Sequence, residues 1–402
     1  MNENVIKKQR ILIDDREYDF LATVGPIEEK FMRLEYDNIG EIVLSNDIEQ
    51  GIPKLQIQYT DINFQSVSKI EANGLTVVTF EISCPQVEIE RGRQIKAIFT
   101  IDDIQLISTE SNQANYIITA THSDISVLSD YVDMAAYGEN PIDIILKIFK
   151  KSGLKMVNEQ PLPKVNCNHI SGSSNTVISQ CAYLCDIASS TNLGSYFVVY
   201  NLFLNKWTIV STGDAKKITY QTEDTEEFLI PTEKDSDDKA SVISNFKQIK
   251  VRDKSKSGIP SYTVKRYNSI KRVWETKPIT HKSFKFNINP LMKDMKPSLA
   301  NEIDIRKKTI YLPNDRNIGN VARNLILYTD VIEFEVMGNL RKEVGSYIVL
   351  NSSSVELNKK FGGVWMIAKI DHVINKTGYR CNIVAVRATN LKYENSKKAG
   401  DA

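Results

Sequence analysis

Alternating apolar and polar residues dominate the first third of the chain. In residues 94–101 one strand face is apolar, formed by Ile95, Ala97, Phe99 and Ile101, as in a half-buried strand. Asp102 and Asp103 are expected to make a tight turn after it. Further strands are predicted at residues 75–82, 104–107 and 115–122. Short strands at this spacing favour a small barrel or sandwich.

A helical pattern replaces this alternation after residue 125. Asn140 followed by Pro141 is typical of a helix start, and Gly153 is expected to end that helix. Apolar residues follow at helical spacing, at Ile142, Ile145, Leu146 and Phe149. Residues 175–189 predict a second helix, and residues 196–211 predict a hairpin that turns at Asn205 and Lys206. A third helix is expected at residues 317–328.

The last patterned segment predicts a long hairpin. Residues 364–374 form its first strand, Asn375 to Gly378 its turn, and residues 379–388 its second strand. Apolar residues occupy both faces of the second strand, so we expect the hairpin to be covered on two sides or packed against another chain. The first and last β blocks are compatible with two diverged copies of one barrel.

These elements predict a mainly β protein with α+β insertions. We expect two tube-type β-barrel domains and smaller accessory domains. The predicted boundaries are 1–124 for the first β domain, 125–215 for an α+β insertion domain, 216–253 with 315–395 for the second β domain, and 254–314 for an accessory segment.

Composition and charge exclude several classes of protein. The chain has 402 residues, 42% hydrophobic and 25% charged, with a formal net charge of +1, so global charge indicates no polyanionic partner. No apolar run reaches the roughly 18 residues of a membrane helix, and we expect no membrane insertion. Five scattered cysteines fit synthesis in a reducing cytosol.

One group of residues raises the question of a metal. Cys167 and His169, with Cys181 and Cys185 one helical turn apart, include ligand types that zinc prefers. A cysteine pair on one helix face is more typical of small core residues. We therefore expect no metal and no cofactor, and leave metal binding by these four residues open.

Catalytic motifs are absent from the sequence. Glu88 with Glu90 and Asp102 with Asp103 pair carboxylates, but a solvated strand face and a turn explain them better than a glycosidase site. The four histidines His122, His169, His281 and His372 lie in no nucleophile motif. No phosphate-binding glycine motif occurs. The prediction is a protein that is not an enzyme and has no catalytic or cofactor-binding residues.

Charge is segregated in the second half of the chain. Residues 223–239 are acidic, and residues 247–282 are basic and include Tyr262, Tyr267 and Trp274. Basic residues interleaved with aromatic ones can bind single-stranded nucleic acid. Because the total charge is near zero, mutual neutralisation of the two segments is favoured, and contact of 247–282 with nucleic acid stays open.

Taken in order, several segments resemble the central hub protein of contractile (T-even-like) phage baseplates. They are residues 129–149, 197–210, 320–350, 365–372 and 384–391. The resemblance is best after residue 125 and weakest in the first third. It covers most of the chain and rests on segment order and short similarities.

That resemblance implies a structural role in the virion tail baseplate, after synthesis in the host cytoplasm. Hubs of this family form a homotrimer whose two tube domains per subunit build a pseudo-sixfold ring. The ring adapts the hexameric tail tube to the trimeric spike and leaves a channel for DNA passage. The implied partners are the tail tube protein, the central spike protein, the baseplate wedge proteins and the tape-measure protein, with DNA only in transit.

Three alternatives remain beside the hub. One is the hub of a phage-derived contractile injection device, whose spike would be a separate polypeptide. Another is a tail-associated cell-wall hydrolase that uses Glu88 or Glu90. The third is a nucleic-acid-binding module built on residues 247–282.

Overall fold

The structure is a computed structural model of the chain. It describes residues 8–26, 32–65, 67, 70, 76–85, 94–158, 162–163, 165–172, 175–188, 196–211, 226–231, 242–251, 262–268, 273–279, 308–311, 330–340 and 342–387. Strands dominate these residues, and the prediction of a mainly β chain with α+β insertions is confirmed. None of the described helices is long and apolar enough to cross a membrane.

The first β unit precedes residue 125. Its strands are β1 (Gln9–Ile13), β2 (Arg16–Pro26), β3 (Met32–Arg33), β4 (Ile39–Asp47), β5 (Lys54–Ile62), β6 (Thr76–Ser83), β7 (Gln94–Glu110) and β8 (Gln113–His122), with a short 3-10 turn at Tyr36–Asn38. Alternation explains them: in β5, Leu55, Ile57 and Tyr59 are buried while their neighbours face outward. The strand expected at 104–107 is the outer part of β7.

The insertion follows directly. It contains α1 (Ile125–Leu128), β9 (Ala135–Glu139), α2 (Pro141–Lys151), β10 (Met156–Val157), β11 (Cys167–Ile170), α3 (Val177–Ala188), β12 (Tyr196–Asn201) and β13 (Lys206–Ser211). The two long predicted helices are confirmed as α2 and α3. The predicted hairpin is β12–β13, but its turn lies between Asn201 and Lys206, earlier than expected, because Lys206 already pairs with Asn201.

The rest of the chain adds a second β unit and a separate small sheet. The elements are β14 (Glu226–Ile230), β15 (Ser244–Val251), β16 (Tyr262–Asn268), β17 (Val273–Ile279), β18 (Lys308–Tyr311), β19 (Asp330–Met337), β20 (Tyr347–Ser352), α4 (Val355–Phe361), β21 (Gly363–Asn375) and β22 (Gly378–Arg387). β16, β17 and β18 form the small sheet. The helix expected at residues 317–328 lies outside the described residues.

The predicted terminal hairpin is confirmed as β21–β22. Its turn joins Asn375 to Gly378, where the Asn375 side chain accepts backbone hydrogen bonds from Thr377 and Gly378. The first six residues of β21 are buried on both faces. Two-sided cover of that part is therefore provided within the chain.

Both β units contribute to one 14-stranded sheet and follow one strand order. In the first, neighbours run β4–β5–β8–β7–β6; in the second, they run β15–β19–β22–β21–β20. Every pairing in both series is antiparallel. The expectation that the first and last β blocks repeat one design is confirmed at the level of strand order.

A shared irregularity supports this equivalence. β7 and β21 each contain a β-bulge, between Ile101 and Asp103 in β7 and between Ile367 and Lys369 in β21. Asp103 pairs with Thr119, and Lys369 pairs with Val384. These two partners each lie six positions after the first residues of β8 and β22, Gln113 and Gly378. The bulge therefore occupies the same place in both units.

The turn expected at Asp102 and Asp103 is wrong, because the bulge occupies this position. β7 continues through both residues to Glu110, and the turn into β8 falls at residues 111–112. Asp102 is the extra residue, and its carboxylate accepts a hydrogen bond from Thr121 at 2.7 Å. A bulge absorbs the added residue without ending the strand.

Candidate functional site

The two β units meet edge to edge, at what we call the unit junction. There, β4 pairs with Lys369–Asn375 of β21, from Lys369 opposite Asp47 to Asn375 opposite Glu41. The core side of the junction is apolar, since Ile42, Leu44 and Ile374 are buried. The inner part of β21 pairs instead with β20, so this one strand belongs to both halves of the sheet.

The corresponding part of the first unit has no such neighbour among the described strands. β6 pairs with β7 only as far as Thr100, opposite Val77. Beyond that point, Asp103–Glu110 pairs with β8 on one side alone. We call this segment the outer β7 edge. Leu106 is 52% exposed on it, which is unusual for an apolar side chain on an unprotected strand edge.

The last strand of the sheet is a second open edge. β15 pairs with β19 and, within the part of the chain that is described, with no other strand. Ile249 lies at a register shift of this strand and is 50% exposed. The unit junction is already paired within the chain, whereas these two edges are available for assembly.

At the unit junction, His372 of β21 forms a buried polar cluster with Tyr379 and Cys381 of β22. His372 Nδ1 is 2.7 Å from the Tyr379 hydroxyl and 3.4 Å from Cys381 Sγ. Burial lowers the pKa of His372 to about 4, against the opposing effects of Asp371 and of a hydrogen bond with the Lys342 backbone. Because the Tyr379 hydroxyl can donate to a neutral imidazole, the cluster is satisfied without charge.

Lys342 is the unusual member of this region. Its ammonium lies 4.4 Å from the centre of the Phe228 ring, and the side chain is 4% exposed. Burial lowers its pKa to about 7, partly offset by Cys381. A lysine perturbed in this way can signal a catalytic base. It faces a phenyl ring, however, and His372, Tyr379 and Cys381 already have structural contacts, so the arrangement is a polar core.

A second buried cluster joins the insertion to the first β unit. Asp124 accepts a hydrogen bond from the Trp207 indole at 2.7 Å, and its backbone N–H donates to His122 Nδ1 at 3.3 Å. His122 stacks on Tyr200 with ring centres 4.0 Å apart. Burial lowers the pKa of His122 and outweighs the effect of Asp124. The cluster therefore favours a neutral imidazole and holds the insertion in place.

The candidate zinc residues do not come together as a site. Cys181 and Cys185 are buried in the core side of α3, and burial raises the pKa of both thiols. His169 donates from Nε2 to the side-chain oxygen of the buried Gln180, 2.9 Å away. Among the described residues, no three His, Cys, Asp or Glu side chains are grouped for a metal ion.

The carboxylate candidates are also separated. Glu88 and Glu90 lie outside the described residues, as does His281. Asp102 borders a groove of about 250 Å³ along β4, β5 and β8, which Asp47, Lys54 and Lys369 also line. Lys369 is held by Asp371 at 2.8 Å, and Asp47 accepts from the Glu49 backbone at 2.8 Å. The groove has mixed charge and no catalytic grouping among the residues that line it.

Only parts of the two charged segments are described. The basic segment forms β15 and the β16–β17 hairpin, in which Tyr262 pairs with Ile279 and Tyr267 with Trp274 along the backbone. Of the acidic segment, β14 carries Glu227, which accepts a hydrogen bond from Asn351. Most of the remaining acidic residues lie outside the described ranges, so mutual neutralisation of the segments stays a prediction.

Sequence reasoning missed the two open edges and the unit junction. No local signal marks the pairing of β4 with β21, because the partners are separated by most of the chain. The expected repetition of one β block was the only signal for these features. Two copies of one β unit have equivalent edge strands, which can pair with each other.

Comparison with known proteins supports the fold. No family model matches the chain, and no curated protein matches its sequence. The 43 kDa tail protein of prophage MuSo2 from Shewanella oneidensis has a similar structure, with a TM-score of 0.57 and 12% identity over 92% of this chain and 98% of that one. The tail protein from Neisseria meningitidis MC58 gives a TM-score of 0.57 and 8% identity over 92% and 96%.

A further similar structure comes from the half-lidded PdpA–VgrG complex of Francisella. It gives a TM-score of 0.51 and 11% identity over 94% of this chain and 59% of that one. At these identities the likeness concerns the fold. The expected resemblance to a baseplate hub is thus confirmed in its coarser form, as a fold shared with tail proteins along nearly the whole chain.

Proposed function

We propose that this chain is the central hub of a contractile tail baseplate and acts as a structural protein. The observation that carries this proposal is the presence of two equivalent β units in one chain, joined edge to edge through β4 and β21. The shared fold with tail proteins of two bacterial sources supports it.

Two units per chain explain how such a hub can adapt symmetries. Three copies arranged in a ring present six β units, which matches a hexameric tail tube on one side. The ring itself has threefold symmetry, which matches a trimeric spike on the other side. The proposed partners are therefore the tail tube, spike, wedge and tape-measure proteins, and DNA passes through the central channel.

The hub of a phage-derived injection device is the second candidate. Its support is the fold shared with a structure of the PdpA–VgrG complex of Francisella, at a TM-score of 0.51. Both candidates predict the same ring, and they differ in the particle that carries it.

The test of the hub is its native mass together with end-on particle images. We expect a mass of three times 45.6 kDa and a ring with six similar density lobes around an open centre. A chain that remains monomeric after addition of its spike protein would contradict the proposal.

We further propose that the chain has no catalytic role. A suspension of bacterial cell walls should keep its turbidity when the purified chain is added. Clearing that disappears in the Glu88→Gln or Glu90→Gln variant would instead establish the wall hydrolase.

A further inference from the structure

The equivalence of the two β units assigns a partner to each open edge. Inside the chain, the outer part of β21 pairs with β4 of the other unit. By strand order and by the bulge, β7 corresponds to β21, and β15 corresponds to β4. The same pairing repeated once more would join β7 to a β15, but these edges are not paired with each other in the chain.

Burial differs sharply at corresponding positions of the two units. Leu106 corresponds to His372. Leu106 pairs with Tyr116, which lies three positions after the first residue of β8, and His372 pairs with Cys381, which lies three positions after the first residue of β22. His372 is 1% exposed, whereas Leu106 is 52% exposed. The second unit has the first unit beside it, and the outer β7 edge has no described counterpart.

The two edges carry opposite charge. Residues 103–110 contain Asp103 and Glu110 and no basic residue, and residues 244–251 contain two lysines and no acidic residue. Lys247 is exposed on β15, and Glu110 is exposed on β7. Opposite charges on facing strands favour their pairing and disfavour pairing of like edges.

We infer that the outer β7 edge of one copy pairs antiparallel with β15 of a second copy of this chain. The inference deepens the proposed hub and rests on it. When the register of β4 with β21 is applied to β15 and β7, Leu106 lies opposite Gln248, and Ser108 lies opposite Lys247. Glu110 then lies diagonal to Lys247, within about 8 Å, where long side chains reach each other.

Such a contact is heterologous, because each copy offers one edge of each kind. Repeated contacts of this type close into a ring when the rotation per copy allows it. In that ring, pairings within a chain alternate with pairings between chains, and both the outer β7 edge and β15 gain a partner. Exposed strand edges of this kind otherwise promote aggregation.

Engineered cysteines test the pairing in the full chain. Leu106→Cys combined with Gln248→Cys should form a disulfide between copies under mild oxidation, since directly opposite positions bring the Cβ atoms close enough. The control combines Leu106→Cys with Lys247→Cys, whose side chains leave opposite faces of the sheet. Both use a Cys167→Ser background, because the other native cysteines are buried.

We expect roughly tenfold more cross-linked dimer and higher species from Leu106→Cys with Gln248→Cys than from the control. Only in the first pair do both Cβ atoms lie on the same sheet face at a distance that a disulfide can span. An oligomer that cross-links equally in both pairs, or to a different protein, overturns this pairing and leaves the hub standing. A chain that stays monomeric by native mass with its spike and gives no cross-link overturns both. Hydrogen exchange of the unmodified chain gives a second test: the amides of residues 103–110 should become protected on assembly, and unchanged exchange refutes the pairing.

Discussion

At the scale of single residues, the buried polar groups set how the protein responds to pH. His372 is neutral in the folded chain because burial lowers its pKa to about 4. Lys342, with a pKa of about 7, is protonated in both folded and unfolded chains below pH 6. Between pH 4 and the ordinary histidine pKa, the imidazole of His372 therefore favours unfolding, and Lys342 does not contribute. The lowered pKa of His122 acts in the same direction.

The sign of the pH effect follows from the lowered pKa of His372. As the pH falls below 6.5, the unfolded chain binds a proton that the folded chain does not bind, so stability decreases until about pH 4. We expect His372 to cost about 2 kcal/mol of unfolding free energy between pH 7 and pH 5. Urea unfolding at both pH values measures the decrease in unfolding free energy from pH 7 to pH 5. This decrease should be about 2 kcal/mol smaller in His372→Gln than in the unchanged chain. Equal losses in both proteins would mean that His372 does not remain neutral.

Gly51 offers a test of the contact between the first β unit and the insertion. Its φ is +69°, and a Cβ there would lie 2.4 Å from the Val198 carbonyl oxygen. Gly138 is the matched control, since its φ is +66° and nothing lies within 4 Å of its Cβ position. Backbone strain alone should cost about 1–2 kcal/mol in Gly138→Ala. Gly51→Ala should cost about 3 kcal/mol or more in thermal or urea unfolding, because the overlap adds to the strain. Similar losses would show that the insertion does not pack closely on Gly51.

At the scale of elements, the helix start of α2 shows what a local signal can predict. Asn140 accepts from the Ile142 backbone at 3.0 Å and donates to the Pro163 carbonyl at 2.6 Å. Replacement by alanine removes both bonds and should cost about 1–2 kcal/mol of unfolding free energy. The cap of α4 is the comparison, because Ser354 accepts from Leu357 at a longer 3.4 Å. Calorimetry should rank Asn140→Ala as clearly more harmful than Ser354→Ala, and the reverse order would contradict the role of Asn140.

The same scale shows where sequence reasoning stopped. The α2 cap and the Asn375–Gly378 turn were predictable, because neighbouring residues alone determine them. Asp102 and Asp103 were wrongly expected to make a turn, since their short polar side chains suit turns. Pairing with β8 and the hydrogen bond from Thr121 place them in a bulge instead. The pairing of β4 with β21 is a tertiary contact without local signal, and only the idea of a repeated block pointed toward it.

At the scale of the whole molecule, the charge of the two open edges gives a test that is independent of cysteines. Lys247→Glu places a carboxylate beside Glu110 of the neighbouring copy, and Glu110→Lys places two lysines together. Each variant should weaken assembly by roughly tenfold, since one repulsive pair replaces an attractive one. The double variant Glu110→Lys with Lys247→Glu restores opposite charges between the copies and should recover most of the assembly. The remaining loss comes from the carboxylate that Lys247→Glu places opposite Glu333 within the chain. Analytical ultracentrifugation over a concentration series measures this.

Salt separates this contact from a general effect of charge. Because Glu110 and Lys247 are exposed, their attraction should fade as ionic strength rises toward about 1 M, where the screening length is near 3 Å. Added salt should therefore weaken assembly of the unchanged chain and of the double variant, and strengthen that of each single variant. Lys155→Glu makes the same charge change at an exposed position on neither edge, and it should leave assembly unaltered. If Lys155→Glu weakens assembly as much as Lys247→Glu, or if the double variant fails to recover, the two edges do not face each other.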